Sequence, residues 1–161
     1  ATVMVYPVSD PQNYGIIEFD EYYNIKSLYE KPKSFKSQYA ITGLYFYDET
    51  VIDKAHKVTP SNRGELEITD LNKLYLMENK LNANIISRGL AWLDTGSIDS
   101  LHDATSYVRT LERRQGLKIG CPEEIAWRKG WIDDKQLESL AIDLLDSGYG
   151  EYLLKLLNRI N

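Results

Sequence analysis

Apolar and polar positions follow two periods along this chain, and they predict where its elements lie. The first stretch, Thr2-Val3-Met4-Val5-Tyr6-Pro7-Val8, is apolar and β-branched and reads as a strand from its first residue. It has no polar lead-in and no initiator Met, which reads either as a trimmed end that loses nothing important or as the start of a fragment whose first half is missing. Tyr14 to Asp20 reads as a second strand, Asp20 to Asn24 as a turn and Asn24 to Tyr29 as the returning arm of a hairpin. Pro32, which has no N–H, ends that pairing. Tyr39 to Tyr47 is apolar at both its odd and its even positions, which predicts a central strand buried on both faces.

Spacings of three and four then take over. Asp48 is expected to cap a short helix burying Val51, Ile52, Ala55 and Val58. Thr69 or Asp70 opens another, with Leu71, Leu74 and Tyr75 inward, and Asn82 to Ser87 returns to a strand. Ile98, Leu101, Ala104, Val108 and Leu111 mark a long helix ending at Gly116. Pro122 suits the first turn of a helix running to about Lys129. Asp133 with Gln136 forms a capping-box pattern ahead of Leu137, Leu140, Ala141, Leu144 and Leu145, which run up to Gly148. Leu153, Leu156, Leu157 and Ile160 line a last helix. The expected architecture is α/β, with a sheet portion over residues 1–115 and a helical appendage over residues 116–161.

Composition narrows the class. With 43% hydrophobic and 27% charged residues in 161, the chain can bury a core and does not read as disordered. A formal charge of −5 argues against a general nucleic-acid or anionic-membrane binder, though not against a local basic pocket. A single cysteine, Cys121, excludes an internal disulfide and a cysteine metal cluster, and His56 and His102 lie too far apart in sequence for a zinc pair. No apolar run is long enough for a membrane span and no signal-peptide pattern opens the sequence, so a reducing cytoplasm is the expected location.

Four polar clusters could carry chemistry. Glu30-Lys31-Pro32 places a carboxylate and an ammonium at a strand end, where α/β sheets bind ligands, or is a solvated ion pair in a loop. Arg63 beside Gly64 suits phosphate recognition by a guanidinium fork, while Glu65, Glu67 and Asp70 could complement a helix dipole. Asp94, between Trp92 and Gly96, could hold Mg²⁺ on a phosphate, or could be a turn residue. Arg109, Arg113, Arg114 and Lys118, with Arg128 and Lys129 beyond, form either a binding patch or a solvated helix face.

Taken in order, Tyr14-Gly15 with Glu18-Phe19-Asp20, Glu30-Lys31-Pro32, Thr42 to Asp48, Arg63 to Thr69 and Trp92 to Gly96 resemble the bacterial glucose-1-phosphate thymidylyltransferases. Arg113 to Gly116, Glu123 to Arg128 and Gly148 to Gly150 resemble the C-terminal helices of that family. The family's glycine-rich GGxGTRLxPxT loop, its pyrophosphate-binding lysine and its other metal-binding aspartate have no counterpart in this sequence. The resemblance therefore implies roughly the second half of a Rossmann-like nucleotidyltransferase, inactive by itself.

The resemblance also implies the chemistry: the phosphate of glucose 1-phosphate attacks the α-phosphorus of dTTP, giving dTDP-glucose and pyrophosphate with Mg²⁺ across the phosphates. This would feed deoxysugar or rhamnose synthesis. By the same resemblance Tyr14, Gly15, Glu30, Ile41, Tyr45 and Trp92 would form the sugar pocket. Lys31 and Arg63 would bind the sugar phosphate and Asp94 the metal. Arg88, Gly89, Glu124, Ile125 and Arg128 would form a second, regulatory nucleotide site near a subunit interface of a homo-oligomer. The other reading is a non-catalytic module that binds a sugar phosphate or a nucleotide. A sheet lacking its other half would leave residues 2–8 and 39–47 as open edges, covered by another copy or a companion segment.

Overall fold

The computed structural model describes residues 1–158; Ile160, expected in the last helix, lies outside them. The chain forms strand β1 (Thr2–Pro7), β2 (Gly15–Phe19), β3 (Ile25–Glu30) and β4 (Tyr39–Phe46). Helices α1 (Val51–Ala55) and α2 (Ile68–Met77) and strand β5 (Asn82–Ile85) follow, then α3 (Ile98–Gln115), α4 (Pro122–Arg128), α5 (Asp134–Ile142) and α6 (Tyr149–Leu157). Two compact units result, meeting in sequence at Trp92 and Leu93.

The first unit is a five-stranded sheet in the order β3-β2-β4-β1-β5, antiparallel except where β1 pairs with β5 in parallel. The β2–β3 hairpin turns on Asp20, whose carboxylate accepts the N–H groups of Tyr22 at 2.9 Å and Asn24 at 2.8 Å. Tyr23 takes the left-handed φ of 63° that such a turn requires. Alternation sends Val3, Val5, Ile17, Leu28 and Ile41 to one face, where Leu71 and Tyr75 of α2 cover them.

Three expectations change here. β4 is central, but only part of its second face is covered. Ala40 and Thr42 are buried there, while Leu44 and Phe46 are 51% and 58% exposed. The cause is pairing: β2 reaches β4 only at Tyr39 and Ala40. Neither β1 nor β4 is an open edge, because each lies between two partners; the edges are β3 and β5. In α1 the buried side chain is Lys54, not Ile52, which is 66% exposed. Lys54 Nζ bonds Glu78 Oε1 at 2.9 Å and lies 4.8 Å from the centre of the Tyr75 ring.

The second unit is helical. Capping boxes open α3 at Ser97 and Ser100, and α5 at Asp133 and Gln136, while Gly116 closes α3 at a φ of 67°. Cys121, Leu137, Ala141, Tyr152, Leu153 and Leu156 form its core. Gly150 brings α6 against the end of α5, and a Cβ there would sit 2.1 Å from the Ala141 carbonyl oxygen. The apolar stripes are less buried than their spacing predicts: in α3 only Ala104 is buried, Ile98 is 87% exposed, and Leu140 and Leu145 are also exposed. Periodicity marks an amphipathic helix without saying how much of its face is covered. Among the described residues, no helix is long and apolar enough to cross a membrane.

Candidate functional site

The register of the β2–β3 hairpin places Gly15 opposite Glu30. At that point the chain leaves the sheet sharply. Lys31 has a φ of 38°, rare for a residue with a Cβ, and its N–H donates to the Tyr14 carbonyl at 3.1 Å. Pro32 follows and prevents further pairing. The Glu30 carboxylate thereby stays at the strand end, where Oε2 accepts the Thr69 hydroxyl at 2.5 Å. Gly15 is required for this approach, since a Cβ would lie 3.0 Å from Thr69 Oγ1 and 3.4 Å from Glu30 Oε2.

Arg63 reaches the same carboxylate from the loop before α2. Ser61 builds that loop: its hydroxyl accepts the Arg63 N–H at 3.1 Å and donates to Glu67 Oε1 at 2.9 Å. Gly64 supplies a φ of 78°. The Arg63 guanidinium then lies among three carboxylates, 2.8 Å from Glu65, 3.5 Å from Glu67 and 3.6 Å from Glu30. Glu65 is the exposed member and can swing aside, whereas Glu67 is buried. A guanidinium has five donors in a planar fork, so an incoming phosphate can take the place of Glu65.

Aromatic rings flank the strand ends. Trp92 meets Tyr14 edge-on at 5.1 Å and Tyr6 at 6.0 Å between ring centres. Tyr45 stacks on Tyr47 at 5.9 Å, and burial first, then the Glu30 carboxylate, push its phenol above the ordinary tyrosine range. Ile41 is buried in the sheet core beside these residues.

The remaining predicted positions are Arg88 and Gly89 of the first unit and Asp94, Glu124, Ile125 and Arg128 of the second. Asp94 is an exposed residue of the second unit, and its Oδ2 accepts the Gly96 N–H at 3.1 Å. Arg88 and Gly89 are exposed in the first unit, Gly89 at a φ of 102°. Glu124 is buried in the second unit, where Oε1 accepts Arg128 Nε at 2.8 Å and Oε2 accepts the Tyr152 hydroxyl. Ile125, beside it in sequence, is 51% exposed.

Thr69, Ser61, Glu67 and Tyr152 hold these groups and were not singled out from the sequence as site residues. In the sequence Thr69 marks a helix start and the end of the Arg63 to Thr69 motif. A hydroxyl that bonds a carboxylate 39 positions away leaves no local sequence signal.

The nucleotidyl transferase family profile matches residues 1–110. A glucose-1-phosphate thymidylyltransferase of Mycolicibacterium smegmatis is 57% identical over 98% of this chain and 54% of its own length. One from Neisseria meningitidis is 50% identical over 99% of this chain and 55% of its own. The chain thus spans about half the length of the curated relatives it matches. A Bacillus anthracis protein described as a glucose-1-phosphate thymidylyltransferase, solved in complex with sucrose, superposes with a TM-score of 0.60 at 40% identity. That superposition covers 67% of this chain and 43% of the other. With a family match over most of its length and a strand-end carboxylate held by Arg63 and Thr69, this chain belongs to the nucleotidyl transferase family.

Proposed function

We propose that this chain carries the sugar-phosphate-binding part of a glucose-1-phosphate thymidylyltransferase, which transfers dTMP from dTTP to glucose 1-phosphate and releases pyrophosphate. The observation that carries the reading is the convergence of Glu30, Arg63 and Thr69 beside Gly15, next to the Tyr14 and Trp92 rings. A carboxylate accepts hydrogen bonds from sugar hydroxyls, and Thr69 fixes one of its oxygens so that the other faces Arg63. Arg63 and Lys31 would hold the sugar phosphate and orient its oxygen for attack; Trp92 and Tyr14 would wall the ring. Phosphoryl chemistry of this kind depends on positioning and charge neutralisation.

A divalent metal suits such a family. Asp94 offers one exposed carboxylate, and Mg²⁺ takes one or two protein carboxylates with the rest of its shell from water and phosphate. Among the described residues no group of three or more acidic, histidine or cysteine side chains could hold a metal ion. Mg²⁺ bound there would neutralise phosphate charge. Arg88, Gly89, Glu124, Ile125 and Arg128 are proposed to form a regulatory nucleotide site in a cytoplasmic homo-oligomer, with the product feeding rhamnose or deoxysugar synthesis. The support is the resemblance of the Glu123 to Arg128 segment and the 50–57% identity to the relatives above.

Calorimetric titration with glucose 1-phosphate tests the central claim. Saturable binding that weakens about tenfold or more in Glu30→Gln and in Arg63→Gln is expected. Unchanged affinity in both variants would overturn the assignment. For Asp94→Asn, glucose 1-phosphate affinity without Mg²⁺ should stay the same, and the gain in affinity on adding Mg²⁺ should disappear.

A further inference from the structure

The basic residues near the end of α3 are left unused by the sugar-phosphate site. Arg109 and Arg113 lie four positions apart, so they share one helix face. Two adjoining cavities open beside them. One, of about 540 Å³, is lined by Ala104, Val108, Arg109, Glu112, Arg113 and Lys118. The other, of about 350 Å³, shares Glu112, Arg113 and Lys118 and adds Lys155 from α6. Four cations and one carboxylate therefore converge from α3, the loop after it and α6, in a chain whose overall charge is −5.

The one carboxylate is already engaged. Glu112 accepts Lys118 Nζ at 2.7 Å and the Ile119 N–H at 3.1 Å, and these bonds hold its pKa below the ordinary glutamate range. Arg109 and Arg113 are exposed and make no ion pair with any described residue. The helix dipole accounts for a cation in the last turn, such as Arg113, but not for Arg109, which lies further back. Paired forks of uncompensated guanidinium beside two ammonium groups suit a ligand with several closely spaced anionic oxygens.

We propose that Arg109, Arg113, Lys118 and Lys155 bind a diphosphate group, separately from the sugar-phosphate site. The site bridges the two cavities, with Ala104 and Val108 as an apolar wall at one end. The diphosphate can arrive free or as part of a nucleotide, and the wall offers the nucleotide's base a contact that free pyrophosphate lacks.

The whole chain is titrated at low salt with pyrophosphate, with a nucleoside diphosphate and with orthophosphate. The expected result is one saturable site that prefers pyrophosphate to orthophosphate. Its affinity falls about tenfold or more in Arg109→Gln/Arg113→Gln and in Lys155→Gln, and holds in the control Lys33→Gln. Tighter binding of the nucleoside diphosphate identifies a nucleotide ligand; equal binding identifies free pyrophosphate. Circular dichroism confirms that the variants, changed at exposed positions, remain folded. No saturation at millimolar pyrophosphate, equal affinity in the double variant, or an equal loss in Lys33→Gln overturns the proposal. Glucose 1-phosphate affinity, measured on the same variants, is expected to be unchanged.

Discussion

The hydroxyl of Thr69 donates to Oε2 of Glu30 at 2.5 Å, joining the first turn of α2 to the end of β3. Thr69 is 1% exposed while Glu30 is only partly buried, so the hydroxyl loses its one carboxylate partner if the pair is broken and the carboxylate loses a charge-assisted hydrogen bond. Gly15 favours the same pair, because a Cβ at that position would lie a tight 3.0 Å from the Thr69 hydroxyl.

Thr69→Val keeps the shape and removes the donor. It should destabilise the first unit by about 1–3 kcal/mol, while Thr69→Ser, which restores the hydroxyl, should lose less. Urea denaturation of the three proteins checks the order. If Val and Thr prove equally stable, the bond contributes nothing to the fold.

Gly150→Ala should be among the most damaging single-methyl changes in the chain. Its Cβ would meet the Ala141 carbonyl oxygen at 2.1 Å and backbone atoms of Leu144 and Leu145 at 2.7 Å. Backbone cannot rotate aside as a flexible side chain can, so a loss of about 3 kcal/mol or more is expected. The signature is a lowered melting temperature with exchange of α5 and α6 amides, visible by hydrogen–deuterium exchange.

Glu18 should make the hairpin pH-sensitive. Its carboxylate accepts Lys26 at 2.9 Å and Ser27 at 3.0 Å, and these bonds, Lys26 foremost, lower its pKa in the folded chain. A depressed folded pKa means the stabilisation is fully present above the unfolded value, about 4.3, and is lost as pH falls through the folded one. Hairpin amide protection factors, taken relative to the intrinsic exchange rate at each pH, should therefore fall on acidification below about pH 4, and Glu18→Gln should flatten that dependence.

Lys54 separates charge from packing. Its side chain is buried, and its ammonium lies over the Tyr75 ring and pairs with the partly exposed Glu78. Removing the cation leaves Glu78 within reach of water, so Lys54→Met, which keeps the stem volume, should melt close to the parent. Lys54→Ala removes the stem as well and should melt lower. Equal losses in the two variants would show that the ion pair, not the packing, matters.

Much of this protein was legible in its sequence because the signals were local. Alternation set the strands, and the hairpin turn followed from Asp20 and Asn24. A capping-box pattern marked where α5 starts and Gly116 where α3 stops, since caps are satisfied within a few residues. The order of short motifs pointed to the family and to Glu30 and Arg63, which do lie together. What the tertiary structure decided depends on distant partners. The pairing of β1 between β4 and β5 is such a case, because the α1 and α2 segments separate strands that become neighbours. So is the burial of Lys54 in place of Ile52, fixed by the Tyr75 ring and Glu78 more than twenty residues on. The Thr69–Glu30 bond and the ring of carboxylates around Arg63 belong with them. A period tells a residue which face it is on; only the packed neighbour determines whether that face is covered and which polar group finds a partner there.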